Sequence, residues 1–180
     1  MIKIEDYGYT NLWNVLATFG ELYKPQSYLE IGVREGGSLT ALLRHYKPPV
    51  IYLCDTWGAA WGGSGRGNFD HIIELLKEKG FEGEVVFLTG YSQILVPQLK
   101  GKIKFDLILV DGNHSYRAAW VDLHSSWDLL NPGGHMIMDD IMHNHSPWLL
   151  DCAVRFRDEQ RAEVVYFDKK STNGCIVYKK

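Results

Sequence analysis

Short apolar runs alternate with segments of helical spacing along this chain of 180 residues, and this alternation constrains the fold more than any other feature. The runs are almost continuously apolar, as in strands buried on both faces of a sheet. Strands that alternate with helices predict a parallel sheet with helices on both of its faces. The predicted strands are Ser27–Val33, Val50–Thr56, Glu84–Thr89, Phe105–Val110, His135–Met138, Glu163–Phe167 and Gly174–Tyr178. The predicted helices are Ser38–Tyr46, Phe69–Lys79, a short one near Gln93–Leu99, Tyr116–Leu130 and Pro147–Gln160.

The last two predicted strands are joined only by the short polar segment Asp168–Asn173. No helix fits in that segment, so these two strands must pair antiparallel. The sequence therefore predicts one doubly wound α/β sheet whose final strand runs against the others. Ligands of such sheets bind outside the carboxyl ends of the strands, where the strand order reverses. The polar residues that follow each strand are therefore the candidates for a functional site.

Composition narrows the class of protein. The length suits one domain, and 46% hydrophobic with 23% charged residues is ordinary for a globular protein. A formal net charge of -3 argues against a broad nucleic-acid-binding face. Cys54, Cys152 and Cys175 form no CxxC pair, so we expect buried thiols in a reducing compartment. With no signal-peptide pattern and no membrane-spanning run, we expect a cytoplasmic protein without a membrane partner.

A segment of residues 1–26 precedes the first predicted strand, and it contains an apolar helix candidate, Leu12–Tyr23. We expect residues 27–180 to form the main domain. The helix is apolar enough to pack either on that domain or on a second subunit. The sequence leaves both arrangements open, and with them the possibility of a homo-oligomer.

An acidic, glycine-rich turn follows the first predicted strand. It runs from Glu30 through Gly32 and Arg34 to Gly36, and its glycine spacing is not the GxGxxG of dinucleotide binding. The glycines permit a tight turn and a close approach to a ligand. Glu30 lies inside an apolar strand, and a buried carboxylate needs a partner. That partner is either a cationic group of a ligand or a set of local backbone amides, and the residues alone leave both open.

Polar residues also end the second and third predicted strands. The carboxylate of Asp55 is placed to accept the hydroxyls of a ribose, although a lone Asp more often caps a helix or forms an Asx-turn. Gly90, Tyr91 and Ser92 follow the third strand, where a base would stack or form hydrogen bonds. Alternatively, Ser92 caps the helix that comes next.

The ends of the fourth and fifth predicted strands carry the strongest chemical signal. Asp111 and His114 follow one, and Asp139 and Asp140 follow the other. Carboxylates brought close together raise one another's pKa unless a cation lies between them, and Mg²⁺ prefers such oxygen ligands. His114 would then serve as a general base. The competing interpretation is a solvated loop with a structural histidine. His143 and His145 lie nearby at a spacing that is not diagnostic.

Together these residues resemble the class I S-adenosylmethionine-dependent methyltransferases, from about Ser27 to Lys180. The run Glu30-x-Gly32-x-Arg34-x-Gly36 is similar to the acidic first motif of that family, and Asp55 to its ribose-binding residue. The resemblance implies the sheet order 3-2-1-4-5-7-6 with the last strand antiparallel. It also implies S-adenosylmethionine as cofactor, with contacts from Glu30, Gly32, Gly36, Asp55, Gly90, Tyr91, Ser92 and Asp111.

A narrower resemblance covers the stretch FDLILVDGNHSYRAAWVDLHSSWDLLNPGGHMIMDD. It is similar to metal-dependent sugar O-methyltransferases of the macrocin type and to cephalosporin hydroxylase-like proteins. In that group DGxHxY, a downstream Asp, a PGG turn and a terminal acidic pair recur. The resemblance implies that Asp111, Asp139 and Asp140 bind Mg²⁺ and that His114 is the base. Asp139 stands where those enzymes typically carry the longer Glu.

We therefore expect an O-methyltransferase that acts on a hydroxyl of a small molecule, a sugar or a natural product, with Mg²⁺ assistance as an open question. Two alternatives remain. A non-catalytic S-adenosylmethionine-binding protein would keep Glu30 and Asp55 without needing His114. A nicotinamide-dependent oxidoreductase would share the sheet but would use GxGxxG. A nucleic-acid methyltransferase is disfavoured by the net charge and by the lack of a motif for a flipped base.

Overall fold

The structure is a computed structural model that describes residues 12–58, 69–168 and 173–180. Its strands are β1 Ser27–Ile31, β2 Val50–Asp55, β3 Glu84–Thr89, β4 Phe105–Val110, β5 Leu130–Met138, β6 Glu163–Phe167 and β7 Ile176–Lys179. Its helices are α1 Leu12–Tyr23, α2 Gly37–His45, α3 Phe69–Glu78, α4 Ser92–Leu95, α5 Tyr116–Leu129 and α6 Trp148–Gln160. A 3₁₀ turn, Val96–Leu99, continues directly from α4.

The seven strands form one sheet in the order β3-β2-β1-β4-β5-β7-β6. The strands β1 to β5 pair parallel to their neighbours, whereas β7 pairs antiparallel to both β5 and β6. The doubly wound sheet, its strand order and its reversed final strand are thus confirmed.

Alternate residues of the central strands supply two separate cores, one on each face. In β4, Leu107 and Leu109 join the core under α1, α2 and α3. Ile108 and Val110 join the core under α5 and α6. Side chains of a strand point alternately to opposite faces, and here both faces are covered. This explains why the strands are apolar at nearly every position.

The sheet ladder continues past the strands into the loops that follow them. The backbone N–H of Gly32 donates to the carbonyl oxygen of Cys54 at 2.9 Å, and that of Asp111 donates to Ile31 at 2.9 Å. The N–H of Asp139 donates to the carbonyl oxygen of Val110, the last residue of β4, at 3.1 Å. The loops after β1, β4 and β5 therefore leave the sheet side by side.

The strand β5 is longer than predicted. It begins at Leu130 rather than at His135, because Leu130 pairs with Phe105 before a register shift in the ladder. The expected turn at Gly133 lies inside the strand, where the N–H of Gly133 donates to the last residue of the chain. Of the loop predicted at residues 57–67, the positions from 59 on lie outside the described residues, as do 169–172 of the turn between β6 and β7.

The helix α1 packs on the domain itself. Leu16 and Phe19 are buried in the core that α2 and α3 share. Gly20 lies against α2, where an added Cβ would approach a methyl group of Leu42 to 2.5 Å. Of the two arrangements left open by the sequence, the structure shows packing on the domain. Among residues 12–58, 69–168 and 173–180, no helix combines the length and apolar character needed to cross a membrane.

The three cysteines are buried. Cys54, Cys152 and Cys175 are all free thiols, as predicted. Burial raises the pKa of each of them. A buried protonated thiol behaves as a small apolar side chain, so these cysteines serve packing.

His135 is a buried imidazole between β5 and α1. Its ring lies 4.1 Å from that of Tyr23 and 5.0 Å from that of Phe19, centroid to centroid. Its Nε2 has no hydrogen bond within the described part of the chain. Burial lowers the pKa of His135 from 6.5 to about 4, and the charge of Lys179 lowers it as well.

We predict that His135 makes the protein less stable in mild acid. Below pH 6.5 the unfolded chain binds a proton at His135 that the folded chain does not bind, so the contribution of His135 to the free energy of unfolding should fall between about pH 6.5 and about pH 4 and level off below. The buried carboxyl groups of Glu30 and Asp122, whose pKa values are raised, contribute in the opposite direction, so the quantity to measure is the difference between the wild type and His135→Phe in urea unfolding at pH 7, 6 and 5. Relative to the wild type, His135→Phe should gain stability as the pH falls, whereas His45→Gln, at an exposed position of α2, should not. An unchanged pH slope in His135→Phe would contradict the prediction.

Candidate functional site

The loop between β1 and α2 passes directly against the loop after β4. Gly32 has a φ of 87°, and a Cβ built on it would lie 1.9 Å from the backbone oxygen of Asp111. Only glycine permits that approach. Gly36 has a φ of 73°, and a Cβ there would press on Ile72 and Leu75 of α3 at 3.0 Å. Both glycines of the predicted first motif are therefore required by the backbone.

Glu30 is fully buried beneath this loop. One carboxyl oxygen accepts the hydroxyl of Tyr28 at 2.9 Å, and the other accepts the hydroxyl of Ser38. Burial raises the pKa of Glu30 to about 8; the two hydroxyls lower it, and the carboxylates of Asp111 and Asp55 raise it. The alternative that Glu30 binds local amides is wrong, because its partners are hydroxyls. Its contact with a cofactor stays a prediction.

Asp55 joins the end of β2 to the β1 loop. Its Oδ2 accepts the backbone N–H groups of Val33 and Arg34, each at 2.9 Å. Its Oδ1 accepts the N–H of Trp57 at 3.0 Å, which is the Asx-type bond that a lone Asp favours. A carboxylate has roughly four acceptor positions. The carboxylate of Asp55 thus shapes the loop and still has room to accept a hydroxyl.

A hydrogen-bond network follows β3. Ser92 donates its hydroxyl to Oδ2 of Asp122 at 3.0 Å. Gln93 donates through Nε2 to Oγ of Ser92 at 2.6 Å and to Oδ2 of Asp122 at 2.9 Å. The alternative that Ser92 caps α4 is wrong, since Tyr91 holds the cap position and makes no side-chain cap bond. Gly90 and the exposed Tyr91 complete this strand end.

Asp122 and Gln93 were missed by residue-level reasoning. Asp122 is 1% exposed, and burial raises its pKa to about 7 while the bonds from Ser92 and Gln93 lower it. The sequence signal was a carboxylate on the buried face of α5, one residue before the core residue Leu123. The resemblance included a downstream Asp but assigned it to no position, so it did not single out Asp122. Gln93 had no signal beyond its place next to a strand end.

Asp111, His114 and Asp140 meet at the ends of β4 and β5. Nε2 of His114 lies 3.1 Å from Oδ2 of Asp140 and 3.7 Å from Oδ1 of Asp111. One ligand atom from each residue lies within 4.8 Å of the others, a spacing that would hold a metal ion. Asp140 has a φ of 57°, and its Oδ1 is buried without a hydrogen bond within the described residues. An unpaired buried carboxylate oxygen next to a histidine is suited to bind a cation.

Asp139 lies outside this group of three. Asp139 is one of the residues that line the adjacent cleft, together with Asp111, His114 and Met138. The predicted metal ligands were Asp111, Asp139 and Asp140, and the structure groups His114 with two of them in place of Asp139. Whether Asp139 binds a metal stays a prediction.

Burial and like charges together disfavour the ionised forms of the carboxylates in the cleft. Burial raises the pKa of Asp111 well above its usual range; the charge of Asp140 raises it further, and Arg34 lowers it. Burial also raises the pKa of Asp139, and the charges of Asp111 and Asp140 add to that shift. Carboxylates under mutual repulsion are stabilised by a bound cation.

The helix α6 closes one side of the cleft. Trp148, which is exposed, donates its indole N–H to the backbone oxygen of His114 at 2.6 Å. The ring of His143 lies 5.8 Å from that of His114, and His145 lies beyond it at 5.5 Å from His143. Neither residue joins the group of Asp111, His114 and Asp140. They lie at its rim.

A family model described as a methyltransferase domain matches residues 29–141. The match covers more than half of the chain, from β1 to the residue after Asp140. It includes both the β1 loop and the group of Asp111, His114 and Asp140. No curated protein matches the sequence.

Solved methyltransferase structures share the fold. The O-methyltransferase TomG from Streptomyces achromogenes matches with a TM-score of 0.69 at 20% identity, over 92% of this chain and 77% of TomG. An O-methyltransferase family protein from Burkholderia thailandensis matches with 0.68 at 12% identity, over 94% of this chain and 55% of that protein. The SAH-bound methyltransferase PaMTH1 of Podospora anserina matches with a TM-score of 0.64 at 18% identity, over 93% of this chain and 76% of PaMTH1. These likenesses concern the fold, whereas the family match extends over the site residues, and the chain belongs to the methyltransferase-domain family.

Proposed function

We propose that this chain transfers the methyl group of S-adenosylmethionine to a hydroxyl oxygen of a small molecule, such as a sugar or a natural product. The observation that carries the proposal is the meeting of Asp111, His114 and Asp140 beside the β1 loop. TomG, which is involved in tomaymycin synthesis, is an O-methyltransferase solved with SAM. PaMTH1 was solved with SAH. TomG supports an oxygen as the methyl acceptor, and both proteins support S-adenosylmethionine as the methyl donor.

The cofactor would lie along the carboxyl ends of β1, β2 and β3. Asp55, with an acceptor position left, would take a ribose hydroxyl. Gly90, Tyr91 and Ser92 would face the base. Gly32 and Gly36 shape the loop that approaches the cofactor, and Glu30 supports that loop from below. When bound, S-adenosylmethionine supplies an electrophilic methyl group on a positively charged sulfur, which nearby carboxylates favour.

His114 would act as the general base. Its Nε2 would take the proton of the acceptor hydroxyl, since histidine is the side chain that most often serves as a general base. The imidazolium formed there would be stabilised by Asp140 at 3.1 Å and by Asp111 at 3.7 Å. Asp111 would also orient the acceptor, because it lies between His114 and the β1 loop.

A divalent cation such as Mg²⁺ fits the residues of this cleft. The unpaired buried oxygen of Asp140 supports this fit. Burial and like charges raise the pKa values of Asp111 and Asp139, and a bound cation would stabilise their ionised forms. Asp111, Asp139 and Asp140 would hold the ion, which would lower the pKa of the acceptor hydroxyl. His114 remains the base only if its Nε2 stays off the metal, because a nitrogen that binds a metal has no lone pair for a proton.

We predict that Asp55→Ala weakens binding of SAM and SAH by about tenfold or more, the loss expected for a hydrogen bond to a charged group. The variant also frees the amides of Val33 and Arg34. Isothermal calorimetry with both nucleosides measures the change. Asp128→Asn, at an exposed position of α5, should bind as the wild type does. Equal binding by Asp55→Ala would place the cofactor elsewhere, and no binding by the wild type would refute the proposed donor.

We predict that His114→Ala lowers kcat by about 10²- to 10⁴-fold, the usual contribution of a general base, and leaves the Kd of SAH nearly unchanged. SAH formation on a panel of sugars, phenols and natural-product hydroxyls provides the assay. His45→Gln serves as the exposed control. A His114→Ala variant with wild-type kcat would refute the assigned base. Wild-type protein that binds SAH without turning over any acceptor would favour a non-catalytic binding protein.

We predict that Mg²⁺ produces a binding heat in the wild type that is lost in Asp111→Asn and in Asp140→Asn, since each variant removes a charged ligand. Calorimetry without the acceptor measures it. Asp139→Asn then distinguishes the two possible ligand sets. Loss of the heat indicates three carboxylates, and retention indicates that His114 replaces Asp139 at the metal. A heat that survives Asp111→Asn would contradict a metal at this site.

A further inference from the structure

Asp122 is a buried carboxylate that the proposed mechanism does not use. It lies outside the group of Asp111, His114 and Asp140, and it is 1% exposed. Only its Oδ2 is hydrogen-bonded; Oδ1 is buried without a partner within the described residues. A buried carboxylate with an unpaired oxygen costs stability. An apolar residue at this position of α5 would avoid that cost, so we expect a function that requires the carboxylate.

The bonds at Oδ2 determine how the Gln93 side chain is oriented. Oδ2 of Asp122 accepts the hydroxyl hydrogen of Ser92, so the group of Gln93 that faces this oxygen is a donor, its amide nitrogen Nε2. That nitrogen carries two hydrogens, one of which goes to Oδ2 of Asp122 at 2.9 Å and the other to Oγ of Ser92 at 2.6 Å. Ser92 donates its own hydrogen to Asp122. These bonds use both hydrogens of Nε2 and leave the carbonyl oxygen of Gln93, Oε1, as the remaining polar atom of the side chain.

This network lies between two of the strand-end loops. Ser92 and Gln93 begin α4 directly after the β3 end. Oδ2 of Asp122 lies beneath the loop after β4, 3.3 Å from the place where a Cβ on Gly112 would stand. The base of the nucleoside is proposed to lie at this end of the sheet.

We infer that Asp122 is a positioning residue that selects the base of the bound nucleoside by leaving the acceptor end of Gln93 to face it. The inference rests on the proposed function, because it needs a nucleoside at the β3 end. An acceptor oxygen suits the 6-amino group of adenine, which donates N–H bonds. The same oxygen of Gln93 would repel the 6-oxo group of hypoxanthine, because the 6-oxo group is also a hydrogen-bond acceptor. Asp122 touches neither base and acts through Gln93.

Paired calorimetric titrations with SAH and S-inosylhomocysteine test the inference, since the second compound carries an oxygen in place of the 6-amino group and, with it, a hydrogen on N1. The wild type should bind SAH about 10- to 100-fold more tightly than the inosyl compound, the range expected for one hydrogen bond at a polar site. Asp122→Ala frees the Gln93 amide to turn over, so the ratio of the two Kd values should fall to about 1.

Variants of Asp122 and Gln93 show whether the two act together. Asp122→Asn keeps one acceptor oxygen for Ser92 and Gln93, so it should retain the wild-type ratio. Gln93→Met should lose the ratio, and Asp122→Ala combined with Gln93→Met should lose no more than Gln93→Met alone. Asp128→Ala, on the exposed side of the same helix, should leave the ratio unchanged.

The inference is overturned if Asp122→Ala weakens both ligands equally and keeps their ratio, which is what a purely structural role would give. A wild-type ratio near 1 also overturns it. If Asp122→Ala does not fold, Gln93→Met decides, and a retained ratio there overturns the inference. Wild-type protein that binds neither ligand refutes the proposed function itself, a result distinct from an unchanged ratio.

Discussion

The position of every candidate site residue depends on the parallel ladder of the sheet, which continues past the ends of the strands. The N–H of Gly32 reaches the carbonyl of Cys54, and the N–H of Asp111 reaches that of Ile31. Backbone groups buried at this depth must be paired, and the neighbouring strand is the nearest partner. The loops therefore leave the sheet in a common layer. Asp139, which follows the next strand, β5, is positioned in the same way, because its N–H donates to the carbonyl oxygen of Val110 in β4.

Within that layer the protein buries carboxylates in two different ways. Glu30 and Asp122 are held by neutral donors, hydroxyls for the first and a hydroxyl with an amide for the second. Such bonds make a loop rigid without requiring a ligand. Asp111, Asp139 and Asp140 instead have one another as neighbours, with a histidine among them. A bound cation or proton would relieve this repulsion, and for that reason we propose that the chemistry takes place at this second group.

The residues that support the site are as informative as those that would do the chemistry. Of the two alternatives considered for Asp55, the structure shows the Asx-type bond, while its contact with a ribose stays a prediction. The carboxylate of Asp55 also accepts two backbone N–H groups of the β1 loop, which neither alternative included. Ser92, by contrast, has a different partner from the helix cap that its position suggested. A local pattern identifies the nearest backbone amide, whereas the partner of Ser92 lies thirty positions away on α5. The chain had to fold before that pair existed.

The sequence by itself determined the topology of the sheet and placed the candidate site at the carboxyl ends of its strands. Uninterrupted apolar runs, the spacing of the helices and the short last connection leave few topologies, because the faces of the sheet must be covered and the last two strands can only pair antiparallel. The grouping of side chains was decided by the tertiary structure. Asp139 and Asp140 are adjacent in sequence, yet only Asp140 reaches His114, because the backbone turns at Asp140 through a left-handed conformation. Likewise, Asp122 meets Gln93 only because α5 packs against α4. Backbone topology follows from patterns that recur along the chain, whereas contacts of 3 Å between distant side chains depend on how the elements pack.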